Sequence, residues 1–282
     1  MTVPVPAPTD AAARLAGAPD IAAFLSVWLE GGLLDGAAAE TFRHYYGSFQ
    51  RSFTGRTRRY YASQIAEAEA LLRAQPGARV LEVGCGLGTE SLWLALQGGD
   101  VTGIDLRADR VAGAQARLAV MQRLGHAQRC RFQFASVFDL PAGAQYDLIW
   151  MEQTFHHLEP REQIVRKIAS LLAPGGHLVI SEANAWNPAL QLELLIRRGL
   201  PRVIQLTGDD GRAHPYGVER VTTAANLRRL FADAGVVCES IRHFRMFPNR
   251  PVFDRFSAFE TAPGTAAILP LFLYYNYVGV RR

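Results

Sequence analysis

The chain is poor in lysine and in cysteine, and each shortage removes a class of protein. Lys167 is the only lysine among 30 basic residues, so the net charge of +4 and the isoelectric point near 9.1 rest on arginines spread along the chain. That bias reads as genome composition. No basic run of the kind that makes a nucleic-acid patch occurs, and Arg56, Arg58 and Arg59 come nearest to one. Cys85, Cys130 and Cys238 are odd in number, far apart and never paired as C-x-x-C. Neither a disulfide framework nor a zinc site follows, and a reducing cytoplasm fits. The first residues, Met1 to Pro8, lack the basic and apolar regions of a signal peptide and are expected to form a loose tail. The apolar stretch from Ala266 to Val280 is too short to span a membrane and carries Pro270 and Asn276, so its second half is expected to be a buried strand. No internal repeat or low-complexity segment is present.

What remains is ordinary globular composition, 49% hydrophobic and 20% charged in 282 residues. A chain of that length buries about three-quarters of its unfolded surface, enough for one large α/β domain with appendages.

The stretch Arg79 to Ser91, RVLEVGCGLGTES, is the most informative. An apolar strand runs into a turn holding Gly84, Gly86 and Gly88, then into a helix. Glycines at such a turn let the backbone bend tightly and approach a ligand, and the following helix presents its N-terminus to it. The G-x-G-x-G spacing alone is a weak signal. Val101 to Asp105 then reads as a second strand ending in a carboxylate about 20 residues past the first glycine, where an acid accepts hydrogen bonds from ribose hydroxyls. The same Asp105 also suits the N-cap of the helix beginning near Ala108.

Strands near 79–84, 100–105, 131–135, 146–151 and 177–182 alternate with helices near 89–97, 108–124 and 161–172, which predicts a doubly wound parallel sheet. Residues 10–75 are expected to be helical, with Tyr61, Ile65, Ala68 and Leu72 at helical spacing and Pro76-Gly77 as the stop. After the fifth strand, Asn184 to Val221 is longer than an ordinary connection and is expected to form a cap insertion. Within it Asn187 and Pro188 start a helix that Gly199 and Pro201 end, and its apolar residues, Leu190, Leu192, Leu194, Leu195 and Ile196, lie on more than one face and call for cover on several sides. Gly208 to Gly217 is expected to be a polar, glycine-rich loop, with closure over substrate and a plain surface role both open. Thr222 or Thr223 should cap a helix running through Leu227, Leu230 and Phe231 to Gly235, before strands near 236–246 and 271–281.

Glu82 to Gly88, Asp105, Leu140-Pro141, Tyr146 to Ile149, Phe155-His156-His157-Leu158 and Leu172 to Gly176, in that order, resemble the motifs of class I S-adenosylmethionine-dependent methyltransferases, in their small-molecule branch. The resemblance is close over residues 76–183 and looser over 222–282. It implies a Rossmann-like seven-stranded sheet, mostly parallel with an antiparallel edge pair. Around that sheet the chain divides into a tail and helical lid (1–75), a cofactor-binding core (76–183), the cap insertion (184–221) and the rest of the core (222–282).

By the same resemblance, the cofactor is S-adenosylmethionine. The backbone from Gly84 to Gly88 packs on its methionine part, Glu82 reaches its ammonium through water, Asp105 holds the ribose and Leu106 stacks by the adenine. Ser136 stands where an acidic residue often meets the adenine amino group. Cys85, Val137 and Met151 complete the cofactor contacts. His156 or His157 is a candidate base, because an imidazole titrates near neutral pH, with Glu182 to orient it; both histidines also suit plain packing or solvated roles. Tyr45, Tyr46, Tyr60 and Tyr216 are candidates to line the acceptor pocket, though rings at helical spacing equally form core. No metal is expected, since Glu152 is out of register for joining His156 and His157 as a ligand.

The expected acceptor is a small organic molecule, with O-methylation ahead of N- or C-methylation. A nicotinamide-dependent oxidoreductase and a non-catalytic cofactor-binding partner protein are the rivals. Oligomeric state stays open, a dimer included.

Overall fold

The computed structural model describes residues 8–127, 129–247, 251–256, 260 and 265–282. The tail expected before residue 8 lies outside them. The chain divides into two compact units, Met1–Phe134 and Ala135–Arg282.

Among the described residues the first unit opens with five helices, α1 (Pro8–Ala16), α2 (Ile21–Leu29), α3 (Gly36–Ser52), α4 (Gly55–Gln64) and α5 (Ala66–Ala74). Asp20 starts α2 by accepting from the Ala23 amide at 2.7 Å, a cap that satisfies an otherwise orphaned donor. Six of the nine residues of α2 then go inside, including Phe24, Leu25 and Trp28. The helical spacing read across Tyr61 to Leu72 breaks at Ile65, which ends α4 and begins α5. Strand β1 (Arg79–Val83), α6 (Thr89–Leu96), β2 (Asp100–Asp105), α7 (Ala108–Arg123) and β3 (Cys130–Phe134) follow. The strands are parallel in the order β3-β2-β1; β1 and β2 are buried almost throughout, as strands covered on both faces are, while β3 is more exposed. Helices α2 and α3 pack on α6 and α7.

In the second unit, β4 (Tyr146–Glu152), α8 (Arg161–Leu171) and β5 (Leu172–Ala183) continue the winding, and β4 pairs parallel with β5. Strand β5 starts at Leu172 rather than near 177, because the Pro174-Gly175-Gly176 turn is taken into it with Gly175 at φ 75°. Helix α9 (Pro188–Arg198), strands β6 (Arg202–Thr207) and β7 (Ala213–Val218), α10 (Ala224–Ala232), β8 (Val236–Phe244) and β9 (Tyr274–Arg281) complete the unit. The order β4-β5-β9-β8 has β9 antiparallel to both neighbours. Seven strands thus make the mostly parallel, Rossmann-like sheet with an antiparallel edge.

Two expectations for the insertion need correction. The stretch expected as a loop is half of a β-hairpin: β6 and β7 pair antiparallel from Arg202↔Val218 to Thr207↔Ala213, with only the Gly208–Arg212 turn irregular. Helix α9 does not gain the expected cover either, since none of its residues is buried and Ile196 is 76% exposed. It is fixed at its start instead. Asn187 accepts from the Leu190 amide at 2.9 Å and donates to the Leu271 carbonyl at 3.0 Å, and Gly199 at φ 76° ends it. Thr223 caps α10 through the Asn226 amide at 3.1 Å.

Candidate functional site

In the first unit the glycine turn is built by backbone bonds. The amides of Gly84 and Cys85 both donate to the Ile104 carbonyl, at 2.8 and 3.0 Å, and the Gly88 amide donates to Cys85 at 2.7 Å. Gly84, Gly86 and Gly88 take φ of 78°, 52° and 72°, a left-handed region that side chains rarely tolerate. Space is as restrictive as conformation. A Cβ on Gly88 would stand 2.3 Å from the Phe132 ring, and one on Gly86 would stand 2.7 Å from the Tyr45 hydroxyl.

Asp105 closes the turn. One carboxylate oxygen accepts from the Gly86 amide at 3.0 Å and the other from the Arg107 amide at 2.9 Å, with the Arg110 guanidinium 3.9 Å away. Each oxygen keeps a lone pair after those bonds, which suits a diol. The helix-cap alternative does not hold, because Arg107 occupies the N-cap of α7. Glu82 is buried and its carboxylate accepts from Ser91 of α6. Burial, with Glu82 and Asp105 nearby, raises the Cys85 thiol well above its ordinary pKa and keeps it neutral. Leu106 is half-buried beside Asp105.

The lid tyrosines separate by environment. Tyr45 is 41% exposed, touches the Gly86 position and lies under the Arg110 guanidinium. Tyr46 is buried and shares a 2.6 Å hydrogen bond with Thr89, which ties it to the turn. Tyr60 is half-buried with the Arg56 guanidinium over its ring. Sequence reasoning missed Arg117. Fully buried on α7, it donates to the Leu87 carbonyl at 2.8 Å and to Thr89 at 2.6 Å, and faces the rings of Trp28 and Phe42. The signal was there: an arginine among Ala114, Leu118 and Met121 on an apolar helix face.

In the second unit Ser136 and Val137 begin a one-turn 3-10 helix. The Ser136 hydroxyl accepts from the Phe138 amide at 3.3 Å, and Asp139 accepts from the Ser136 amide at 2.8 Å, a reciprocal cap. Lys167 donates to the Leu140 carbonyl just beyond, at 2.8 Å. Met151 is fully buried near the end of β4.

His156 and His157 lie on a second 3-10 turn, Phe155–His157. His156 Nδ1 lies 3.0 and 2.9 Å from the two carboxylate oxygens of Glu182, which is wholly buried on β5. Its Nε2 lies 3.9 Å from Glu219. Burial opposes charge on this ring, but the Glu182 carboxylate, its hydrogen bond and Glu219 outweigh it, so the His156 pKa is above the ordinary histidine value. His157 goes the other way. Burial and the neighbouring His156 push it down to about 4, and its Nδ1 donates to the Gly217 carbonyl at 2.8 Å, leaving the neutral ring with a free lone pair on Nε2. Tyr216 stacks on it at 4.5 Å and 17°. Glu219 and the Gly217 carbonyl had no sequence signal, since they meet the histidines across some 60 residues of chain. Among the described residues no cluster of histidine, cysteine and carboxylates is arranged to hold a metal, and no helix is long and apolar enough to cross a membrane.

A family model described as a methyltransferase domain matches residues 53–241. The chain is 32% identical over 167 residues to a ubiquinone biosynthesis O-methyltransferase of Psychrobacter arcticus, covering 58% of this chain and 61% of that one. It is 27% identical over 255 residues to the 27-O-demethylrifamycin SV methyltransferase of Amycolatopsis mediterranei, covering 84% and 91%. The chain spans about half the length of the first curated relatives it matches. Among solved structures, the magnesium protoporphyrin IX methyltransferase of Synechocystis PCC 6803 with bound SAH shares the fold, with a TM-score of 0.57 at 19% identity over 86% of this chain and 94% of that one. With a glycine turn closed by Asp105 on a Rossmann-like sheet, and a family model matching well over half its length, the chain belongs to the methyltransferase-domain family, of the class I, S-adenosylmethionine-dependent kind.

Proposed function

We propose that the protein transfers a methyl group from S-adenosylmethionine to a hydroxyl oxygen of a small organic acceptor. The observation that carries the oxygen reading is the buried pair in which both Glu182 carboxylate oxygens face His156 Nδ1. When bound, S-adenosylmethionine supplies a methyl carbon already activated on a sulfonium, so the protein's own tasks are alignment and, for a hydroxyl acceptor, removal of a proton. Glu182 fixes the Nδ1 proton of His156 and turns Nε2 into the accepting atom, and its charge strengthens the ring as a base. His157, neutral and stacked under Tyr216, shapes the acceptor side. The O-methyltransferase names of the Psychrobacter and Amycolatopsis relatives favour oxygen as well.

The first unit supplies the donor-binding groups. The crowding at Gly86 and Gly88 leaves a backbone cradle without side chains, and the lone pairs left on Asp105 fit the ribose hydroxyls. Glu82, Cys85, Leu106 and the Gly84 backbone flank that cradle. Ser136, Val137 and Met151 of the second unit are further proposed cofactor contacts; the proposed acceptor contacts are Tyr45, Tyr46 and Tyr60 of the first unit, of which Tyr46 is the most committed to structure, and Tyr216 of the second.

Calorimetry with S-adenosylhomocysteine and with NADH tests the donor. Binding of the first and not the second is expected, and the reverse would sink the methyltransferase reading. Incubation with radiolabelled S-adenosylmethionine and a panel of phenols, sugars and amines tests the acceptor: label is expected on hydroxyl compounds, and transfer to amines alone would replace oxygen by nitrogen.

A further inference from the structure

The β6–β7 hairpin is tied down at both ends within the second unit. At its turn, the Arg212 guanidinium grips Asp139 with two parallel bonds, 3.0 Å to one oxygen and 2.9 Å to the other, and also binds Asp210 at 2.5 Å. His214 adds a 2.9 Å contact to Asp210. Asp139 is the residue that caps the Ser136–Asp139 turn. At the other end β7 lies directly on the histidine turn. Leu158 and Tyr216 form a bridge, Gly217 accepts from His157, and a Cβ on Gly217 would stand 2.5 Å from the His156 carbonyl. Hairpin, capped turn and histidines are therefore one mechanical chain.

We propose that Arg212 is a positioning residue: it latches the hairpin to the Ser136–Asp139 turn, and so holds Tyr216 and the Gly217 carbonyl against His157 as the wall of the acceptor side. This rests on the reading of the Ser136 turn as a cofactor contact and of the histidines as the acceptor side. Forked arginine–carboxylate bonds fix orientation as well as distance, which a single exposed ion pair does not. Asp139 and Asp210 both hold their carboxyls below the ordinary range through Arg212, so both carboxylates of the latch are charged at neutral pH. The latch sits at the surface, with Arg212 57% and Asp139 35% exposed, and its loss leaves the sheet core untouched.

His157 reports the latch without any acceptor. The charged groups that act on it are His156, Glu219 and Glu182, none of which touches Arg212 directly. Imidazole titration by NMR in Arg212→Ala and Asp139→Asn is expected to move the His157 pKa up from about 4 by about one unit in each, as the hairpin lifts and water reaches the ring. The double variant should move it no further than either single one, and Arg212→Lys should recover part of the loss. Amide exchange is expected to rise about tenfold in β6 and β7 and to stay level in β4 and β5. S-adenosylhomocysteine affinity in Arg212→Ala should change by less than about threefold. An unmoved His157 in both single variants would overturn the latch, and so would a shift confined to Arg212→Ala, which would put the effect in the hairpin's own Asp210 turn. Failure of the unaltered protein to bind S-adenosylhomocysteine would overturn the methyltransferase reading instead, while the titration would still decide the latch.

Discussion

The glycine turn of the first unit and the histidine turn of the second are both short, polar structures at strand ends, yet they are built by opposite means. The first is made from backbone. Its amides bond to Ile104 and Cys85, its φ values exclude side chains, and its one carboxylate comes from the next strand of the same βαβ unit. The second is made from side chains and carbonyls that the fold gathers from β5, from β7 and from the segment after it. A backbone-built site is rigid before any ligand arrives, and it is written locally. A gathered site depends on every element that contributes to it, and its protonation is set by neighbours far away in sequence.

The sharpest break in that comparison comes from the histidines. His156→Ala is expected to lower kcat by roughly 10²- to 10⁴-fold, the usual worth of a general base, while S-adenosylhomocysteine affinity measured by calorimetry stays within about twofold. Equal losses in both would mean that the two turns are not separable. Because the base must be neutral, the rate should rise with pH through the raised pKa of His156. Glu182→Gln should shift that limb to lower pH, since it removes the charge that favours the imidazolium.

Asp105→Ala tests the other side. Losing two charge-assisted bonds that brace the glycine turn should weaken S-adenosylhomocysteine by about 10- to 100-fold, with the His157 titration unmoved. Gly88→Val should destabilise the fold by about 3 kcal/mol or more, because it adds a clash with Phe132 to a left-handed backbone, and thermal unfolding measures it.

Stability should depend on pH through the histidine turn. Between the ordinary value of 6.5 and about 4 the unfolded chain binds more protons than folded His157, so stability falls as pH falls through that window. His156 acts with the opposite sign: its pairing stabilises below the ordinary value, and that contribution fades as pH rises through its raised pKa. His157→Phe should flatten the acid side of a urea-unfolding series, and an unchanged slope there would remove His157 as its cause. The smallest expected effect is at the lid. Tyr46→Phe loses the hydrogen bond to Thr89 and should cost about 1 kcal/mol in the same measurement.

Periodicity and punctuation suffice for the alternating strands and helices of the core, because its strands are short, mainly apolar runs set off by turn signals such as Pro76-Gly77 and Pro174-Gly175-Gly176. They suffice for the Asn187 cap as well, and narrow the next one to Thr222 or Thr223, of which the structure uses Thr223. The hairpin escaped because β6 is mostly exposed and β7, half-buried, carries Pro215 and Gly217, and Gly208 and Gly211 in its turn resemble an open loop. Leucines in α9 suggested burial where anchoring through Asn187 holds the helix instead. Arg117 was visible as an arginine on an apolar helix face, but its task of holding Leu87 and Thr89 was not.

The order of residues alone determined the glycine turn and its carboxylate, since φ angles, the spacing of Gly84, Gly86 and Gly88, and the reach of Asp105 are local quantities. Which histidine is pushed towards its charged form and which away from it, and what presses on each ring, were decided only by tertiary structure. Burial and the fields of Glu182 and Glu219 do not exist until β5 and the hairpin come together around His156 and His157.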